Sequence, residues 1–179
     1  GQAVQNALVS LMPAYWRKRR ENVLWQGPGP GVDFTSLVAD LDLDKQCVFK
    51  QEGAAYDDTV LYFPGCGAGL FSTDVGKATL ALLLETGANV VLPPGHLCCG
   101  YPLLASGCDE AYKANRHRTL QELIDLLIVT GKAGLRATTL VTACGTCRES
   151  LESFDFAGEL DEPLRHVDVM QFLLERTAD

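Results

Sequence analysis

A chain of 179 residues is long enough for one domain with a substantial core plus a shorter appendage, and 47% apolar with 21% charged content is ordinary for a globular fold. Its 15 basic and 23 acidic residues give a formal charge of −8, which argues against nucleic acid as the main partner, because a phosphate backbone selects a basic face. No apolar run approaches the roughly 20 residues that span a bilayer, and the first residues lack the charged start and apolar core of a secretory signal. Because it starts at Gly1 rather than Met, the chain reads as a fragment of a longer protein.

Taken in order, residues 2–12 set Val4, Ala7, Leu8 and Leu11 on one helical face that Pro13 ends, as in a short docking helix. Tyr15 and Trp16 precede the basic run of residues 17–20, read as a solvated linker, with an acidic partner or lipid headgroups as the alternative. Glycine and proline crowd residues 26–31, so 13–36 reads as a linker with little regular structure. Residues 33–58 carry Asp33, Asp40, Asp42, Asp44, Glu52, Asp57 and Asp58 against Lys45 and Lys50, a solvated acidic approach in which Cys47 is a structural or free thiol. The expected organisation is an N-terminal helix and linker over 1–58 and one domain over 59–179.

Within that domain, residues 59–63 form a buried strand closed by Pro64 and Gly65. Residues 73–86 follow as a helix with Val75, Ala78, Leu82 and Thr86 at helical spacing and Gly87 as its left-handed stop. Residues 88–92 make a second strand, stopped by Pro93 and Pro94. A longer helix runs from about Asp109 to near Gly131, with Leu120, Leu123, Ile124 and Leu127 on one face. Residues 138–143 make a third strand, 145–154 a helix, and Asp168 caps a last helix carrying Val169, Phe172 and Leu173. Strands joined by helices rather than tight turns imply a parallel, Rossmann-like α/β sheet with helices on both faces. Every strand-to-helix turn then falls on the carboxyl edge, where open α/β sheets bind ligands.

That edge is where the cysteines lie. Five of the seven fall in these turns: Cys66 after the first strand, Cys98 and Cys99 after the second, Cys144 and Cys147 after the third. An odd, clustered set without an export signal points to metal ligation in a reducing compartment rather than to disulfides. Helix-start N–H groups offset the charge of several thiolates, and the CxxC step of Cys144 and Cys147 lets two sulfurs reach one centre. The vicinal pair Cys98 and Cys99 suits bridging or ligation of different irons. Five donors is one more than a tetrahedral zinc or an ordinary four-iron cube needs, so either an unusual cluster or a spare reactive thiol is expected.

The spacing of these residues carries a specific resemblance. Cys66, a gap of 31 residues, Cys98-Cys99-Gly100, a gap of 44, then Cys144-Gly145-Thr146-Cys147 resembles the cysteine-rich CCG domain. That domain is found in the cysteine-rich subunit of heterodisulfide reductase and in the iron-sulfur subunits of glycolate, lactate and glycerol-3-phosphate dehydrogenases, usually in two copies. The likeness extends over about residues 59–175, including Pro102, Gly107 and residues 166–175. It implies that Cys66, Cys98, Cys99, Cys144 and Cys147 hold a non-cubane four-iron (4Fe-4S) cluster, in a domain or subunit of an iron-sulfur oxidoreductase that is not self-sufficient as this chain. It also implies flavoprotein and ferredoxin-type partner domains or subunits, with FAD bound there. A cytoplasmic location follows, or the cytoplasmic face of a membrane as a peripheral protein. Two departures stand out: the second gap is longer than the family's usual one, and only one copy is present. A structural zinc ion without redox function is the alternative.

Other candidates are weaker. Cys108 falls outside the motif, and a loop reading fits His96 at least as well as a bond to sulfur or a zinc-ligand role. His117 reads as a polar-face residue and His166 as structural. Gly65, Gly67 and Gly100 are expected to let backbone approach the sulfurs, and Arg148 and Lys113 to soften their charge. No GxGxxG fingerprint follows a strand, so a dinucleotide has no expected site on this chain. No histidine and acid are placed to support a cysteine hydrolase.

Overall fold

The computed structural model describes residues 22–27, 43, 46–52, 58–93, 95–156, 160 and 163–177. Among the described residues six strands form one sheet: β1 (Asn22–Gly27), β2 (Gln46–Gln51), β3 (Thr59–Phe63), β4 (Asn89–Val91), β5 (Ala137–Thr142) and β6 (Arg165–Asp168), in the order β1-β2-β4-β3-β5-β6. The helices are α1 (Thr73–Glu85), α2 (Tyr101–Ala105), α3 (Asp109–Lys132), α4 (Gly145–Glu152) and α5 (Val169–Thr177), and a single π-helical turn, Gly67–Phe71, precedes α1.

β3 lies at the centre because all five of its side chains are buried, as befits a strand covered on both faces. Alternation sends Val60 and Tyr62 to one face, with Leu80, Leu83 and Leu84 of α1 and Phe172 of α5. Leu61 and Phe63 go to the other, with Leu123, Ile124 and Leu127 of α3 and Leu151 of α4. From β3 the chain crosses to β4 on one side and then to β5 on the other. With crossovers of constant hand, that reversal moves the covering helix from one face to the other and opens a switch point beside β3. The α/β architecture is thus the expected one, and β4, β3, β5 and β6 are mutually parallel.

The N-terminal reading needs correction. Residues 22–27, expected to lack regular structure, form β1, and residues 46–51 of the expected solvated approach form β2, which pairs with β1 in parallel and with β4 antiparallel. Phe49 joins the core at 3% exposure, and Gln51 is buried at 2% because its side-chain amide donates to the carbonyls of Leu84 (2.8 Å) and Ala88 (2.7 Å). The Gln51 backbone N–H in turn donates to Asn89 Oδ1 at 2.8 Å. Polar bonds to the α1–β4 turn therefore dock β2, and no apolar run announces it. The helix expected over 2–12, the basic run 17–20 and the side chain of Cys47 lie outside the described residues.

α1 forms where expected and Gly87 ends it with φ +81°, yet it presents a different face. Gly76, Thr79, Leu80, Leu83 and Leu84 are buried, whereas Val75, Ala78 and Leu82 are exposed. Gly76 decides the rotation: a Cβ there would sit 2.7 Å from the Ala68 carbonyl oxygen, so the helix packs this side against the π turn. Asp168 caps α5 as expected, accepting from the Gln171 N–H at 2.9 Å. That bond is the first cause holding the Asp168 carboxyl below its ordinary range. β6 and α2 were not foreseen. Among the described residues no helix is long and apolar enough to cross a membrane.

Replacing Gln51 by Leu withdraws the donor from the buried Ala88 carbonyl and one of two from Leu84, whose other partner is the Gly87 N–H. Urea denaturation is expected to show a loss of about 2 kcal/mol, the usual cost of orphaning a buried acceptor. An unchanged midpoint would contradict the docking of β2 by this side chain.

Candidate metal centre

Three adjacent strands, β4, β3 and β5, deliver the cysteines to one edge. β3 ends at Phe63, and Gly65 turns the chain with φ +65°, so Cys66 stands at the head of the π turn. A Cβ on Gly65 would lie 2.9 Å from Cys147 Sγ, which places that sulfur directly against the main chain beside Cys66. After β5, Cys144 takes the extended N-cap position of α4 and Cys147 lies in the first helical turn. The loop after β4 carries Cys98 and Cys99 to Gly100, whose φ of +87° starts α2.

The sulfurs form an unbroken row. Cys66 meets Cys98, Cys98 meets Cys99, Cys99 meets Cys147, and Cys147 meets Cys144. Cys98, Cys99 and Cys147 are buried, while Cys66 and Cys144 are partly exposed. Among the described residues no three or more His, Cys, Asp or Glu side chains gather about one point as a single ion requires.

Crowding decides how charge is held in the free thiols. Donation by the Cys147 thiol, and then by Cys98, brings Cys99 down to about 3, with the Tyr101 N–H adding to the effect. Donation by Cys98 likewise brings Cys66 down to about 7 against the opposing cost of burial. Cys98 and Cys147 move up, because each is the donor in these bonds and each is buried. Charge on one sulfur is therefore held by protons on its neighbours, since adjacent charges in low dielectric repel strongly. Backbone donors add to this: the Gly100 N–H points at Cys98 Sγ from 3.4 Å.

The remaining expected residues divide. Cys108 is exposed, with its sulfur 3.9 Å from the Ser106 carbonyl oxygen. His96 is buried against the π turn, where a Cβ on Gly69 would come within 2.8 Å of its Nδ1. His117 is exposed on α3, and His166 meets the Phe156 ring edge-on at 5.6 Å, its pKa lowered chiefly by burial. Gly65 does admit a sulfur. The N–H groups of Gly67 and Gly100 do reach the sulfurs of Cys66 and Cys98, while the side a Cβ would occupy is open at Gly67 and faces Asn115 and Tyr112 at Gly100. Arg148 is engaged by Asp168 (3.0 Å) and Glu152 (3.1 Å), and Lys113 by Glu110 (2.8 Å), so both cations are already offset by carboxylates.

Sequence reasoning missed Asn115, Thr119 and Ser150, which bond the carbonyls of the vicinal pair. The available signal was polar residues at i and i+4 leading into the apolar stripe of α3.

With that geometry in hand, comparison with known proteins is decisive. The profile of the CCG cysteine-rich domain matches residues 60–152, just over half of the chain and every cysteine of the row. The chain belongs to the CCG cysteine-rich domain family. A subunit of the fumarate reductase (CoM/CoB) of Methanothermobacter marburgensis is 28% identical over 119 residues, covering 66% of this chain and 22% of that protein. Lactate utilization protein A of Bacillus subtilis is 36% identical over 75 residues, 42% of this chain and 32% of that protein. Its namesake in Bacillus thuringiensis is 33% identical over 79 residues, 44% of this chain and 33% of that protein. The CCG chain thus spans between about a fifth and a third of these relatives. No solved structure matches it significantly.

Gly65→Ala and Gly67→Ala separate local crowding from glycine content. The first places a methyl 2.9 Å from Cys147 Sγ on a backbone of φ +65°, and the second adds one where nothing lies within 4 Å. Iron and sulfide analysis after anaerobic reconstitution is expected to show loss of loading in Gly65→Ala and wild-type loading in Gly67→Ala. Equal loading of both would contradict the described approach of Cys147.

Proposed function

We propose that the chain is the cluster-binding, electron-transferring domain of a larger iron-sulfur oxidoreductase, with Cys66, Cys98, Cys99, Cys144 and Cys147 as ligands of a non-cubane four-iron cluster. The observation that carries this reading is the continuous row of five cysteine sulfurs drawn from three strand-to-helix turns. Soft thiolates as the entire donor set select iron-sulfur centres or zinc. A zinc ion needs four donors about one point, which the described residues do not offer, and five neighbouring thiols are more donors than one zinc takes.

When bound, such a cluster supplies one-electron oxidation and reduction. The protein's own part is to hold sulfurs and charge. N–H groups of Gly67, Gly100 and Tyr101 face the sulfurs and stabilise negative charge on them. The core formed with α3 and α4 buries Cys99 and Cys147 and excludes water from that side. Cys66 and Cys144, the partly exposed members, mark the side from which a partner exchanges electrons. Similarity to one component of a fumarate reductase and to lactate utilization proteins supports an oxidoreductase complex as the setting. In this proposal flavoprotein and ferredoxin-type domains are the partners, FAD binds on them, and the assembly works in the cytoplasm or at its membrane face.

Absorption and paramagnetic resonance of anaerobically purified protein test the proposal. A coloured protein with several irons per chain is expected, with the signal lost in Cys99→Ser and retained in Cys108→Ser. A colourless protein carrying one zinc per chain would contradict it.

A further inference from the structure

The vicinal pair is held by its main chain as well as approached through its sulfurs. The Cys98 carbonyl accepts two side-chain bonds from α3, from Asn115 Nδ2 at 2.9 Å and from Thr119 Oγ1 at 3.0 Å. The Cys99 carbonyl accepts from Ser150 Oγ of α4 at 2.9 Å. All three donors are buried, with exposures of 6% for Asn115, 0% for Thr119 and 7% for Ser150. Polar groups are costly at such positions unless they are satisfied, and the donors of all three go to one dipeptide. Gly100 belongs to the same arrangement, because a Cβ on it would press within 3.0 Å of Asn115 Nδ2. On the other side of the Cys99–Gly100 peptide, the Gly100 N–H points at Cys98 Sγ, and the next N–H, that of Tyr101, reaches the Cys99 sulfur.

We propose that Asn115, Thr119 and Ser150 are positioning residues that fix the Cys98–Cys99 and Cys99–Gly100 peptide planes, turning both carbonyls away from the metal-binding edge and holding the Gly100 N–H toward Cys98 Sγ. This rests on reading the five cysteines as a ligand set. A peptide plane free to rotate brings a carbonyl oxygen, with its partial negative charge, toward thiolates that already repel one another, and it withdraws the N–H that stabilises them. Adjacent side chains also diverge without such restraint. The clamp is therefore what lets neighbouring cysteines serve one centre. Residues that orient ligands without touching the metal commonly change affinity by about 10- to 100-fold.

Cadmium titration of the reduced, metal-free chain against a competing chelator reads the thiol set through its ultraviolet sulfur-to-metal band, independently of cluster assembly and of any activity. Thr119→Val removes the hydroxyl with little change of shape and is expected to weaken cadmium binding about tenfold, with Thr119→Ser restoring it. Thr130→Val is the control, because that buried α3 hydroxyl bonds only within its own helix, to the carbonyls of Leu126 (2.9 Å) and Leu127 (3.3 Å). Ser150→Ala, which also removes a bond from the hydroxyl to the Cys99 sulfur, is the second variant should Thr119→Val fold poorly, and at least the same tenfold loss is expected of it. Wild-type affinity in a folded Thr119→Val or Ser150→Ala, or an equal loss in Thr130→Val, overturns the clamp. Cys99→Ser separates the two levels: if it binds cadmium as wild type does, the ligand reading fails, whereas if it alone is weakened, only the clamp fails.

Discussion

Sulfurs can stand side by side only where the backbone yields to them, and the rest of this molecule follows from that condition. One such approach is at Gly65, where the missing Cβ leaves room for Cys147 Sγ. From there the row runs through Cys99 and Cys98 back to Cys66, joining turns after β3, β4 and β5. Because β3 lies between β4 and β5, the three turns are neighbours without any long excursion of the chain. Burial makes the arrangement costly for free thiolates, and the thiols respond by sharing protons along the row. A metal centre relieves that repulsion outright, since coordination replaces protons with positive charge.

The helices contribute more than cover. α3 directs Asn115 and Thr119 to the vicinal pair at its N-terminal end and Leu123, Ile124 and Leu127 to the core further on, so one helix both anchors the sheet and holds the site. α4 does the same over a shorter span: Cys144 and Cys147 at its start, Ser150 on the Cys99 carbonyl, Leu151 in the core. Packing and ligand placement are thereby coupled. A shift of either helix against the sheet moves sulfurs. This coupling explains why Arg148, one residue beyond Cys147, is tied to Asp168 at the end of β6.

What could be read from the sequence was what local pattern determines. The buried strand of residues 59–63, the long helix from Asp109, the cap at Asp168 and the placing of five cysteines at strand ends all depend on neighbours in the chain. What escaped depends on partners far away. β2 looked solvated because Lys50 and Glu52 flank its buried residues, and its docking rests on Gln51 reaching Leu84 and Ala88. The inward face of α1 was misjudged because nearly every residue from Thr79 to Leu84 is apolar, leaving Gly76 and its approach to Ala68 to set the rotation. β6 is short and largely polar, with Val167 alone fully buried. The carbonyl clamp was hidden for a related reason: a buried Asn or Thr reads as a surface residue until its acceptor is known.

The central claim is that Cys66, Cys98, Cys99, Cys144 and Cys147 act as one set, and differential alkylation tests it most directly. Anaerobically reconstituted and metal-free chains are labelled with iodoacetamide, digested and compared by mass spectrometry. The account predicts that metal loading protects these five together while Cys108 is labelled equally in both forms. Protection that leaves out one turn of the row, or that extends to Cys108, would contradict it.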